Sequence, residues 1–242
     1  MNDQGFQQGI HATGRVSEAA RASSEQMLTV KDPIGTGRKG SLPDLHRQQS
    51  PALDDVDAAR AQEYVLLAVL LADAPDAVLL GRIATLRCDA SPLGIAHAGL
   101  AQAATEAEPE TVEREFFDLF IGVGRGELLP YASYYLTGFL HERPLARLRD
   151  DLHALGIERA EDRAEPEDHA AMLCEVMAGL VDGRFAAGAH AQQMIFEKHL
   201  VPWLGRFFAD LERADAAAFY RNVGTVGRAF IEIESEAFAL PA

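Results

Sequence analysis

Cysteine is scarce in this 242-residue chain. The two present, Cys88 and Cys174, stand far apart. No C-x-x-C pair exists to suggest a zinc knuckle or a dithiol redox centre, so the chain fits a reducing compartment, with one long-range disulfide left open. Long apolar runs are also lacking. The longest, Tyr64 to Ala72, is about half of what a bilayer-spanning helix needs. The N-terminus does not follow the basic, apolar, small-residue succession of a secretory signal. Its adjacent basic pair, Arg38-Lys39, runs into Gly-Ser-Leu-Pro, and the expected location is the cytoplasm. Basic charge is short: 22 Lys and Arg against 37 Asp and Glu leave −15, a surface that repels phosphate backbones and argues against nucleic acid as a partner. Glycine (20) and proline (11) are not enriched, which excludes collagen-like and generally disordered classes. No fixed-period repeat supports a solenoid.

What is present is apolar mass, 48% of residues, enough for a sizeable core. The acidity is unevenly placed. Residues 1–50 hold six basic and five acidic residues, net +1, so residues 51–242, with 16 basic and 32 acidic residues, carry −16. The first 50 residues are rich in Gly, Ser, Gln and Arg and show no sustained apolar period, so they predict a disordered extension. The mildly apolar Met27-Leu28-Thr29-Val30 offers the alternative of a short recognition arm, and Met27 is an alternative start.

From Asp54 onward the apolar spacing is helical almost everywhere and no strand is indicated. A first helix starts near Asp54 or Asp55 and ends near Asp73; its segment Tyr64–Leu71 is apolar nearly all round and predicts a central buried helix. Further helices are expected at about 76–88, 92–106, 109–121, 131–141, 143–155, 166–182, 187–199, 201–213 and 215–238. Between them Gly122-Val123-Gly124-Arg125-Gly126-Glu127-Leu128-Leu129-Pro130 disfavours helix and predicts a loop. The fold class is therefore all-α: a single compact helical bundle domain over 51–242, with a hinge loop between two helical halves and a disordered N-terminal extension over 1–50. A hinge there would permit a domain-swapped dimer as well as a monomer.

Three segments draw attention. In Glu165-Pro166-Glu167-Asp168-His169 the proline suits the first position of a helix and the carboxylates suit its positive end, while Asp168 and His169 would sit in the first turn facing a groove. A structural cap and a recognition site both fit. An enzyme site is thin, because adjacent Asp and His do not face each other on a helix and no nucleophile accompanies them. Pro130-Tyr131-Ala132-Ser133-Tyr134-Tyr135 places tyrosines at helical spacing, with Tyr134 expected in the core and Tyr131 and Tyr135 suited to a groove. In the third, Pro202 is expected to open a helix carrying Trp203, Phe207 and Phe208 on a core face. The glycine loop follows a helical pattern instead of a strand and has G-x-G-x-G spacing, so it is a weak dinucleotide signal. With no H-E-x-x-H and no His pair four apart, no metal site is expected.

Taken in order, the loop with Pro130-Tyr131-Ala132-Ser133-Tyr134-Tyr135, the Glu165–His169 segment and His199-Leu200-Val201-Pro202-Trp203 with Phe207-Phe208 resemble the TorD/DmsD/NarJ family of redox-enzyme maturation chaperones, over roughly residues 55–240. Phe116–Gly122 is similar to the helix preceding the family's hinge, while Leu129 and Ala132 depart from a proline and an acid that the family often has. The resemblance implies an all-helical cytoplasmic chaperone and no enzyme. It would bind the twin-arginine signal peptide or apo form of a molybdopterin-dependent oxidoreductase subunit until the client's cofactor is inserted, with no cofactor of its own. It implies a client-binding surface of Glu165, Pro166, Asp168 and His169 beside Tyr131, Ser133 and Tyr135, with Asp168 pairing with a signal-peptide arginine. A loose similarity of Phe230–Glu234 points to formate dehydrogenase as client. The alternatives are a helical small-molecule-binding protein or enzyme with a pocket around His169 and Tyr131/Tyr135, and an adaptor that binds a partner helix.

Overall fold

A computed structural model describes residues 28–30, 54–86, 88–160 and 165–240. Helix α1 (Asp55–Ala72) starts where expected, because the Asp54 side chain accepts the Asp57 N–H. Asp76 does the same for α2 (Ala77–Ile83), and Ser91 for α3 (Pro92–Glu106). These N-caps satisfy amides that the first helical turn leaves without partners. Helix α4 (Pro109–Phe116) runs into a π-helical turn, Phe117–Ile121, and the expected loop follows over 122–130. Short α5 (Ala132–Thr137) and α6 (Arg143–Ala154) lead to strand β2 (Ile157–Arg159). Then come α7 (Ala170–Val181), α8 (Gly188–Ile195) with a second π turn (Phe196–Leu200), α9 (Leu204–Leu211) and α10 (Phe219–Ala239).

The core is continuous across the two halves. Helix α1 packs chiefly on α7, and α10 packs on both α9 and α3. Tyr64, Leu66, Leu67 and Leu70 are fully buried, as the apolar circumference of that segment predicts, and every residue of α7 is buried. Trp203, Phe207 and Phe208 are core residues as expected. Arg60 reaches across from α1 and binds the buried Glu234 of α10 through two bonds of 2.7 and 2.9 Å, and the Tyr64 hydroxyl donates to the same carboxylate at 2.9 Å. A second buried pair, Glu63 with His97 at 3.0 Å, fastens α1 to α3.

The glycine loop is not a slack joint. Gly122 has φ +61°, and a Cβ on Gly126 would lie 2.5 Å from the backbone of Phe120, so the loop folds back onto the π turn only with glycine there. The Glu127 carboxylate accepts the N–H groups of Asp215 and Ala216 at 2.7 and 3.0 Å. Twelve residues earlier, Glu115 accepts three successive N–H groups, of Ala218, Phe219 and Tyr220. One carboxylate from the first half therefore closes the start of the last helix, and one from the loop holds the turn that leads into it.

Several expectations are corrected. Leu28–Val30 form strand β1, antiparallel to β2 with Leu28 opposite Arg159 and Val30 opposite Ile157. Strands of three residues are too short to display a period-two pattern, which is why the sequence shows none. The remainder of the 1–50 extension lies outside the described residues. Helix α7 begins at Ala170 instead of Pro166, α9 at Leu204 instead of about 201, and α10 at Phe219 instead of about 215. Both cysteines are free, Cys88 exposed and Cys174 buried. None of the described helices is long and apolar enough to cross a membrane.

Candidate functional site

Two stretches far apart in sequence interlock at the centre of the candidate site. The Pro130 carbonyl accepts the Ala170 N–H at 2.8 Å, the Ala132 N–H donates to the Asp168 carbonyl at 3.0 Å, and Tyr131 and His169 form an isolated antiparallel bridge. Asp168 Oδ2 accepts the Ser133 N–H at 2.8 Å, closing the start of α5, while the next residue, His169, accepts the Ala171 N–H on Nδ1 at 3.1 Å and caps α7. Consecutive side chains thus cap two different helices. Neither lies in the first turn of α7, as the sequence suggests; both precede it, because the His169 N–H is turned back onto the Pro166 carbonyl at 3.1 Å.

This junction is sealed. Asp168 is 1% exposed, Ser133 0% and His169 7%. Burial pushes the His169 imidazole down to about 4, against the pull of Glu165 and Asp168. It is neutral at pH 7, and because Nδ1 is an acceptor the ring proton sits on Nε2. Asp168 Oδ1 and the Ser133 hydroxyl are buried with no hydrogen-bond partner among the described residues.

Outside the junction the remaining residues meet solvent. Glu165 is exposed and accepts a hydrogen bond from the Tyr131 hydroxyl. Burial and the Glu165 carboxylate push the Tyr131 phenol up, so it stays a donor. The Tyr131 ring stands edge-on to His169 with centroids 4.9 Å apart. Glu167 is engaged otherwise, by Arg149 at 2.8 Å and Arg159 at 3.6 Å. The three carboxylates of Glu165–His169 are therefore one exposed, one ion-paired and one buried.

Four residues beyond Tyr131, Tyr135 packs on Trp203 and Phe207 and donates its hydroxyl to Asp210 at 3.2 Å. It borders a cavity of about 440 Å³ with Tyr134, Arg125, Arg206 and Asp210. Arg125 lies over the Tyr134 ring and donates to its hydroxyl at 2.7 Å, and Arg206 lies over Tyr135. Tyr134 is thus a cavity wall under Arg125, not the core residue expected. Neither His169 nor Tyr131 lines this cavity, so the pocket expected around them is displaced toward Tyr134 and Tyr135. Sequence reasoning missed Arg125, Arg206 and Asp210; the Arg206/Asp210 spacing of four on a helix was the available signal. Among the described residues no group of three or more His, Cys, Asp or Glu side chains could hold a metal ion.

The sequence profile described as nitrate reductase delta subunit matches residues 87–209, which span the α3–α9 region and contain the whole interlocked junction. The chain belongs to the nitrate reductase delta subunit family. Within the range matched by that family lie the glycine loop, the tyrosines of α5 and the Glu165–His169 segment.

Among relatives, a protein named chaperone protein TorD from Vibrio cholerae serotype O1 is 31% identical over 127 residues, 49% of this chain and 58% of that protein. One of the same name from Vibrio atlanticus is 25% identical over 135 residues, 52% of this chain and 63% of that protein. The chain thus spans under two thirds of the length of these relatives. A solved structure of a redox enzyme maturation protein from Archaeoglobus fulgidus covers 79% of this chain and 98% of its own, at 20% identity and a TM-score of 0.46.

Proposed function

We propose that this protein is a cytoplasmic maturation chaperone, not an enzyme. It binds the twin-arginine signal peptide, or the apo form, of a molybdopterin-dependent oxidoreductase subunit until that subunit's cofactor is inserted and export can proceed. The observation that carries this reading is the solvent-facing Tyr131–Glu165 pair on the interlocked junction, on a domain of net −16. An exposed carboxylate beside a tyrosine ring on a rigid support is complementary to a guanidinium group, and the general negative field speeds the encounter. The names of the relatives point the same way.

The test is a pull-down of the tagged protein from its own host, with mass-spectrometric identification of what is enriched. Enrichment of one molybdoenzyme subunit, lost when its arginine pair is changed to lysines, supports the reading; formate dehydrogenase is the first client to look for. Recovery of no exported oxidoreductase while one is expressed would overturn it. The cavity bounded by Arg125 and Arg206 favours one second reading, a helical small-molecule-binding protein. Native mass spectrometry of the purified protein, showing a bound metabolite released by Arg206→Ala, would favour that instead.

A further inference from the structure

We propose that within Glu165–His169 the group that receives a guanidinium is Glu165, and that Asp168 is a positioning residue that acts from beneath, through the Ser133 N–H and helix α5. This division of labour rests on the function proposed above and assigns different work to neighbouring carboxylates.

Availability separates the three. The Asp168 carboxylate is 1% exposed; one oxygen holds the Ser133 N–H at 2.8 Å and the other has essentially no solvent-accessible surface. A planar guanidinium with five N–H groups cannot reach either oxygen without lifting α5 off the junction. Glu167 is already held between Arg149 and Arg159. Glu165 is exposed; the Arg159 guanidinium reaches only its backbone carbonyl, at 3.5 Å, and its carboxylate is oriented by a neutral donor, the Tyr131 hydroxyl. That phenol leaves the carboxylate's charge intact and sets an aromatic ring beside it, where a guanidinium can pair with the one and lie against the other.

Asp168 controls where this pair stands. Its carbonyl takes the Ala132 N–H and its carboxylate the Ser133 N–H, so it fixes the first turn of α5. Tyr131 is the residue just before that turn, and His169 fixes its ring from the other side. Removing the Asp168 acceptor releases the start of α5 and with it the Tyr131 ring and the orientation of Glu165. The effect on binding is then geometric and does not depend on the charge of Asp168.

The experiment uses the full chain and a fluorescent synthetic peptide with an Arg-Arg pair followed by an apolar stretch, alongside its Lys-Lys counterpart. Affinities are measured by anisotropy for wild type, Glu165→Gln, Asp168→Asn and Asp168→Ala, with melting followed by circular dichroism. Glu165→Gln keeps an acceptor for Tyr131 and loses only charge; it should weaken Arg-Arg binding by about tenfold and narrow the preference over Lys-Lys. Asp168→Asn keeps an oxygen for the Ser133 N–H and should bind within about threefold of wild type, whereas Asp168→Ala should lose binding and melt lower. If Asp168→Asn loses as much affinity as Glu165→Gln while melting like wild type, Asp168 meets the peptide's charge and the assignment is overturned. Unchanged affinity in Glu165→Gln overturns it equally. Failure of the wild type itself to bind any Arg-Arg peptide would instead remove the proposed function, and the assignment with it.

Discussion

Glu115 closes the N-terminus of the 21-residue α10 from another helix, and its replacement by glutamine isolates what that closure is worth. One carboxylate oxygen takes the N–H groups of Ala218 and Tyr220 at 2.8 and 2.7 Å, the other that of Phe219 at 3.0 Å. In Glu115→Gln one oxygen remains and the other becomes an NH2 facing the Phe219 N–H, donor against donor. The lost charge-assisted bond at a buried site is worth about 1.5–3 kcal/mol. The loss of negative charge at the positive end of a helix adds roughly 0.5–1 kcal/mol. Together these predict destabilisation of about 2–4 kcal/mol, which for a domain of this size lowers the melting temperature by roughly 5–15 °C. Urea unfolding followed at 222 nm should show a lower midpoint at unchanged slope, the signature of a stability change without loss of compactness. A shift below about 0.5 kcal/mol would refute the view that this carboxylate holds α10 in place.

A second prediction concerns pH. The buried His169 titrates near 4 when folded and near its ordinary 6.5 when unfolded, so the unfolded chain takes up the proton first. The contribution of His169 is fully present above about pH 6.5 and is lost as pH drops toward 4, by on the order of 3 kcal/mol; His169→Asn, which keeps a capping acceptor, should flatten that part of the slope in urea titrations at pH 7, 6 and 5. A third concerns the α1–α10 clasp: Arg60→Met strands the buried Glu234 and should cost about 3–5 kcal/mol, and Arg60→Met with Glu234→Gln should recover part of it. If the double variant is no more stable than the single one, the charge of Glu234 is not what the arginine offsets.

The helices were legible because burial leaves a periodic trace: Tyr64–Leu71 reads as buried on all sides and is, and the face carrying Trp203, Phe207 and Phe208 is in the core. Their starts were less legible where the cap comes from elsewhere. Nothing in residues 215–220 reveals that Glu115 of α4 and Glu127 of the glycine loop hold them, so apolar spacing alone sets the onset of α10 four residues early. Pro202 does not open α9 because the chain leaves a π turn there, a geometry with no distinctive residue pattern. At the candidate site the Glu165–His169 segment was recognisable as a unit, but the division among its members was not. Acidic residues look alike in sequence, and only their partners distinguish the exposed Glu165, the ion-paired Glu167 and the buried Asp168.

The capping of α5 by Asp168 and of α7 by His169 also sets a length rule. Neighbouring Cα atoms are about 3.8 Å apart, so the chain passes from one helix end to the other in a single step. The spacing of the two caps is therefore set by the covalent chain, and each helix start is held to it by one hydrogen bond. A residue inserted between Asp168 and His169 would shift one cap out of register with the other, whatever its chemistry. A substitution that keeps a capping acceptor can be accommodated here; a change in count cannot.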